Sequence, residues 1–160
     1  MVDGGSRAEA VLSVVSLDHP HARRLEGQHL ADMRERYGGR GPGPVPSAEF
    51  DPPEGCFVVA LVDGAPVACG GLRHLGPGVA EIKRMYVDPG VRRRGLGRRI
   101  LAFLEQRAAA TAYTEVWLET GTGQPEAIAL YEAAGYRRRD PYGEFKHDPR
   151  SRCYGRDLGG

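Results

Sequence analysis

The chain has 160 residues, 41% hydrophobic and 27% charged, a size and balance suited to one domain, 1–160, with a buried core. Its net charge of +1 argues against a globally basic nucleic-acid binder, and no segment nears the roughly 18 apolar residues of a membrane span. Cys56, Cys69 and Cys153 lack C-x-x-C spacing and leave one over, which argues against a disulfide framework or a zinc site.

Residues 1–7 lack the basic-then-apolar pattern of a signal peptide, so the expectation is a flexible start on a soluble, cytoplasmic chain. Residues 8–17 alternate and carry valines, as a strand does. Asp18 then serves as a helix cap, with Pro20 in the first turn and Leu25, Leu30 and Met33 at helical spacing up to about Tyr37. Residues 38–55 hold prolines 42, 44, 46, 52 and 53 among glycines and read as a long loop with one short turn, either a lid over substrate or a flexible insertion.

Residues 57–62 and 66–72 flank Asp63-Gly64-Ala65 and predict a hairpin, with Gly70-Gly71 marking a bulge or a close backbone approach. A strand over 79–87 follows. Period two places Glu81, Lys83, Met85 and Val87 on one face of it, and Ile82, Arg84 and Tyr86 on the other. Next comes a helix with Leu96, Ile100, Phe103, Leu104 and Ala108 on one apolar face, a strand over 115–120, a helix over 124–134, and short strands at 136–138 and 152–157. This is a mixed α/β order with no repeat and no linker.

Between the strand and the helix lies Arg92-Arg93-Arg94-Gly95-Leu96-Gly97-Arg98-Arg99. Its glycines permit a tight turn and a close backbone approach, while the first amides of the helix lack intrahelical partners and favour an anion. The turn is not a Walker loop, because Arg98 and Arg99 stand where Lys-Ser/Thr is required. Nor is it a dinucleotide fingerprint, because Ile100 stands where the third glycine belongs. From Lys83 to Arg99 the chain carries seven basic residues against one acid, Asp88, but no interleaved aromatics or nucleic-acid signature. A nucleic-acid role is therefore not expected.

The succession Ala80-Glu81-Ile82-Lys83-Arg84-Met85-Tyr86-Val87-Asp88-Pro89, the R-x-x-G-x-G turn, Val116-Trp117-Leu118-Glu119-Thr120 and Ala127-Ile128-Ala129-Leu130-Tyr131 through Gly135-Tyr136 resembles the GCN5-related N-acetyltransferase family over about 56–158. The resemblance implies a mixed, mostly antiparallel central sheet flanked by helices, and acetyl transfer from acetyl-CoA, with no metal, to a small-molecule or peptide amine. It implies that Arg92, Arg93, Arg94, Gly95, Leu96, Gly97 and Arg98 hold the CoA pyrophosphate and that Met85, Tyr86 and Val87 run along its pantetheine. Gln124 stands near the family's pantetheine-binding asparagine and either substitutes for it or neighbours the helix cap. A homodimer is compatible with the resemblance.

An alkylammonium with a pKa of about 10 is no nucleophile at neutral pH, so the chemistry needs a base, oxyanion donors and an acid for the leaving thiolate. By the resemblance Glu81 is the base; the bland alternative is a glutamate paired with Lys83, Arg84 or a cation of another strand. His74 is a second candidate. Tyr131 is the acid by the same resemblance, its alternative being an aromatic packed on the sheet. The acceptor is not named by any motif, although Glu49, Asp51, Glu54 and Glu144 suit an ammonium and Tyr142, Phe145 and Tyr154 suit an apolar wall. A non-catalytic acyl-CoA sensor or interaction module is the reading of another class.

Overall fold

The computed structural model describes residues 9–39 and 41–159, so the flexibility expected of residues 1–7 lies outside the described residues. The elements are β1 (Val11–Val14), α1 (Pro20–Tyr37), β2 (Cys56–Val62), β3 (Ala65–Gly76), β4 (Val79–Val87), α2 (Leu96–Ala110), β5 (Glu115–Gly121), α3 (Pro125–Ala133), β6 (Arg137–Arg138) and β7 (Ser151–Asp157). They build one seven-stranded sheet in the order β1-β2-β3-β4-β5-β7-β6, antiparallel at every pairing except β4 with β5. Among the described residues no helix is long and apolar enough to cross a membrane.

The two faces of the sheet bury separate clusters. On one, Ala22 and Leu25 of α1 pack with Leu17, Phe50, Phe57, Val59, Cys69 and Tyr86. On the other, Ile100, Leu101, Leu104 and Ala108 of α2 and Tyr131 of α3 cover Val58, Leu72, Ile82, Val116 and Leu118. Each fully buried Leu, Ile or Val among these contributes about 1.5–3 kcal/mol against exposure, which holds the helices on the sheet.

Two local features differ from expectation, the cap of α1 and the length of β3, while the long loop holds the one short turn expected of it. The cap of α1 is His19, whose Nδ1 accepts from the His21 amide at 3.0 Å, because Pro20 occupies the first helical position and makes residue 19 its neighbour. Asp18 instead pairs with Arg23. Strand β3 continues to Gly76, because pairing with β4 carries it past Leu72 through Arg73 and His74. The long loop is pinned in the middle: Ser47–Phe50 forms a 3₁₀ turn, and the Phe50 ring lies where a Cβ on Gly71 would stand only 2.6 Å from it.

The alternation expected along β4 is broken by a bulge. Against β3 the register runs from Lys83 to Tyr86 while β3 advances only from Gly71 to Cys69, and Arg84 absorbs the extra residue at a φ of 62°. Met85 and Val87 consequently pack in the α2 cluster with Ile82, while Tyr86 faces α1. Glu81 and Lys83 therefore do not share a face with Met85 and Val87. A residue inserted into a period-two pattern moves every later side chain to the other side. Gly70, opposite the bulge, makes the anticipated close approach: a Cβ there would stand 2.6 Å from Met85 Sδ and 2.8 Å from Ile100 Cγ2.

Candidate active site

The parallel pairing of β4 with β5 covers only Val79↔Glu115 to Ile82↔Leu118. Beyond it β4 stays with β3 and β5 stays with β7, so the two central strands part. A cavity of about 350 Å³ fills the opening, lined by β4 from Glu81 to Met85, β5 from Glu119 to Gly121, and by His29, Gln124 and Tyr131. A second cavity of about 240 Å³ shares Glu81, Lys83 and Glu119 with it and is walled by residues 43–45 and 142–144.

The arginine-glycine turn lies where β4 hands over to α2. Gly95 is the N-cap at a φ of 76° and Arg93 stands at 67°, so two left-handed residues turn the chain before the helix. The first helical bond runs from the Arg99 amide to the Gly95 carbonyl at 3.1 Å, which leaves the amides of Leu96, Gly97 and Arg98 ahead of the ladder. Leu96 is buried and fixes the turn, and Gly97 approaches α3, a Cβ there standing 3.3 Å from Leu130. Of the arginines, Arg92 donates from Nε to the Val87 carbonyl at 3.0 Å and Arg99 donates to the Ala10 carbonyl at 3.0 Å. Arg93, Arg94 and Arg98 are exposed. These amides and exposed guanidinium groups fit a diphosphate, and the parted strands fit an extended arm.

Glu81 is buried on β4 with both oxygens engaged: Arg73 Nε donates to Oε1 at 2.9 Å and the Tyr142 hydroxyl donates to Oε2 at 2.7 Å. The cation of another strand that pairs with it is thus Arg73 of β3. His74 lies away from both cavities, with its Nδ1 3.4 Å from the Tyr113 hydroxyl.

Glu119, which sequence reasoning passed over, lines both cavities from β5. Burial pushes its carboxyl up to about 7, against a smaller opposing effect of the Ser151 hydroxyl that donates to Oε1 at 3.2 Å. A carboxyl that titrates near neutrality in a cleft suits proton transfer. One signal of its place exists in the sequence: Val116 and Leu118 alternate inward, so Glu119 falls on the polar face of a strand otherwise apolar at its centre.

Tyr131 reaches the opening from α3 on the opposite face, packed edge-on against Tyr136 at 5.9 Å. Burial, and then the Glu119 charge, push its phenol well above the ordinary tyrosine range, so the hydroxyl keeps its proton. Gln124 is the N-cap residue of α3 without a side-chain cap bond, and its Oε1 accepts from the Tyr37 hydroxyl at 3.1 Å. Met85 lines the β4 side of the opening, Tyr86 packs its side chain in the α1 core, and Val87 packs against the α2 cluster while its carbonyl accepts from Arg92. Tyr142, Glu144 and Phe145 do border the cavities, whereas Tyr154 is buried core with its hydroxyl on Glu132 at 2.9 Å.

The profile of the acetyltransferase (GNAT) family matches residues 17–136. An IAA acetyltransferase of Azospirillum brasilense is 40% identical over 96 residues, which make up 59% of this chain and 63% of that protein. The match therefore spans less than two thirds of that relative's length. A solved structure from Klebsiella pneumoniae, described as an acyl-CoA N-acyltransferase, superimposes with a TM-score of 0.79 at 26% identity, covering 94% of this chain and 98% of that one. The PaiA N-acetyltransferase of Thermoplasma acidophilum, solved in complex with coenzyme A, shares the fold with a TM-score of 0.69 at 14% identity, over 93% of this chain and 99% of its own.

Proposed function

The chain belongs to the acetyltransferase (GNAT) family, and on that premise we propose that it is an acetyl-CoA-dependent N-acetyltransferase acting on a primary amine by direct attack on the thioester. The observation that carries this reading is the parting of β4 and β5, with Glu119 on one side of the opening and Tyr131 on the other. Acetyl-CoA supplies an activated acyl group with a thiol as its leaving group.

In this reading the amides of Leu96, Gly97 and Arg98 and the exposed Arg93, Arg94 and Arg98 hold the diphosphate. The edge of β4 from Met85 to Val87 and the amide of Gln124 guide the arm toward the opening. Glu119 takes the proton of the amine, and Glu81 stands beside it as a fixed carboxylate site whose oxygens are occupied by Arg73 and Tyr142. Glu119 is preferred to Glu81 as the base because, among the described residues, only one of its oxygens accepts a protein hydrogen bond, from Ser151, whereas both oxygens of Glu81 do. Tyr131 gives its proton to the departing sulfur. In balance, the C–S bond breaks, an N–C bond forms, and the acetylated amine, a thiol and one released proton result.

The test is calorimetry with acetyl-CoA followed by thiol release across polyamines, amino acids, aminoglycosides and peptide N-termini. Turnover with any amine supports the reading. Binding without turnover on the whole panel favours an acyl-CoA sensor, and failure to bind acetyl-CoA overturns both.

A further inference from the structure

The two cavities meet at Glu81, Lys83 and Glu119 but differ in the rest of their walls. The larger holds Met85, Gln124 and Tyr131, the groups assigned above to the acyl donor. The smaller holds none of these and is framed by the two loops, which touch where the Gly43 amide donates to both Glu144 carboxylate oxygens at 3.2 and 3.4 Å. With the donor in the larger cavity, the smaller is left for the acceptor. Its volume of about 240 Å³ lies below the range of about 300–1,000 Å³ usual for drug-sized ligands, which points to a small molecule.

Among the described residues, the lysine and arginine side chains lining the cavities are closely ion-paired with one exception. Arg73 is taken by Glu81 at 2.9 Å and Glu49 at 3.3 Å, Arg84 by Glu26 at 3.2 Å, and Arg150 by Asp148 at 2.9 Å. Lys83 has only Glu81 Oε1 at 3.9 Å, an oxygen that already accepts from Arg73, and its ammonium makes no hydrogen bond among the described residues. Yet the Lys83 side chain is only 17% exposed. An ammonium withdrawn from water with three unused donors is unfavourable until an anion meets it.

We infer that the acceptor is a small amine bearing a carboxylate close to its amino group, as in an amino acid, with Lys83 holding the carboxylate in the smaller cavity while the amine faces Glu119. This rests on the N-acetyltransferase reading and narrows its substrate class. A doubly charged phosphate fits less well, because Glu81, Glu119 and Glu144 line the same cavity and Lys83 offers one ammonium whose nearest carboxylate oxygen is 3.9 Å away.

The experiment compares several amino acids, each with its amide and its decarboxylated amine, by kcat/KM of thiol release and by calorimetry against the CoA-bound protein. Charge-assisted recognition predicts that the amino acid is favoured about 10- to 100-fold, mostly through KM. Lys83→Met should erase that preference, read as the ratio of amino acid to decarboxylated amine within the one variant because Lys83 also acts on the Glu119 carboxyl, and Lys83→Arg should keep part of the preference. Amides and amines used as well as amino acids overturn the inference. So does a Lys83→Met variant that slows every acceptor alike. If acetyl-CoA binds but nothing is acetylated, the catalytic reading fails, and amino-acid binding by calorimetry that is absent or indifferent to Lys83→Met defeats the inference separately.

Discussion

Glu119 and Tyr131 line one opening from opposite faces of the sheet: Glu119 projects from β5 away from the α2 cluster, and Tyr131 belongs to that cluster. The separation is imposed by pleating, because Leu118 points into the α2 cluster and its neighbour must point away. In the proposed reaction the amine and the thiol leaving group would thus be met from two sides of the one opening.

Glu119→Gln should lower kcat by about 100-fold or more and change acetyl-CoA affinity by less than about threefold, as removal of a general base does. With its carboxyl near 7, the wild-type rate should rise with pH through about 7 and level above it. Steady-state thiol release from pH 5.5 to 9 checks both statements. A profile that keeps its inflection in Glu119→Gln removes the assignment.

The buried His29 and the partly buried Glu119 tilt stability in opposite directions with pH. Burial lowers the His29 imidazole to about 4, with Arg84 adding to it, so between 4 and 6.5 the unfolded chain binds the extra proton and stability rises with pH. Glu119 is raised to about 7, so between 4.5 and 7 the folded chain binds the extra proton and stability falls as pH rises. Each shift corresponds to about 3 kcal/mol at most. Relative to wild type, His29→Leu should gain stability progressively in acid, while Glu119→Gln should gain progressively above pH 4.5. Urea unfolding at a series of pH values reads both differences.

Tyr131→Phe should reduce turnover by about 10- to 100-fold and leave acetyl-CoA binding nearly intact, since only the proton donor is lost. An unchanged rate would return Tyr131 to a packing role against Tyr136.

The bulge of β4 is held by Arg84, whose side chain is 3% exposed and bonds Glu26 Oε2 at 3.2 Å and the Gly43 carbonyl at 2.9 Å. Glu26→Gln should cost about 3–5 kcal/mol by leaving a buried guanidinium uncompensated. The double variant Glu26→Gln/Arg84→Met should recover part of that loss. Denaturant midpoints of the four proteins in this cycle measure the coupling, and strict additivity would show that the pair does not act as a unit.

Gly70→Ala should destabilise the fold by about 1–3 kcal/mol, because the new methyl group would press on Met85 Sδ and Ile100 Cγ2. A stability within error of wild type would mean that Met85 moves aside freely.

The amino-acid sequence carried the element order, the hairpin around Gly64, the apolar face of α2 and the glycine turn at 92–99, because each depends on residues within a few positions of one another. The position of Tyr131 at the opening was legible through its motif. The rest depended on distant partners. Where β4 and β5 stop pairing is settled by β3 and β7 drawing them apart, and the bulge at Arg84 is stabilised by Glu26, 58 residues away. That bulge broke the period-two reading of β4. The raised carboxyl of Glu119, the occupied oxygens of Glu81 and the ammonium of Lys83, without a hydrogen bond among the described residues, likewise belong to no local pattern. Burial and ion pairing are properties of the surroundings that the fold assembles, so the same glutamate or lysine has a different chemistry in the sheet than anything its neighbours in the chain foretell.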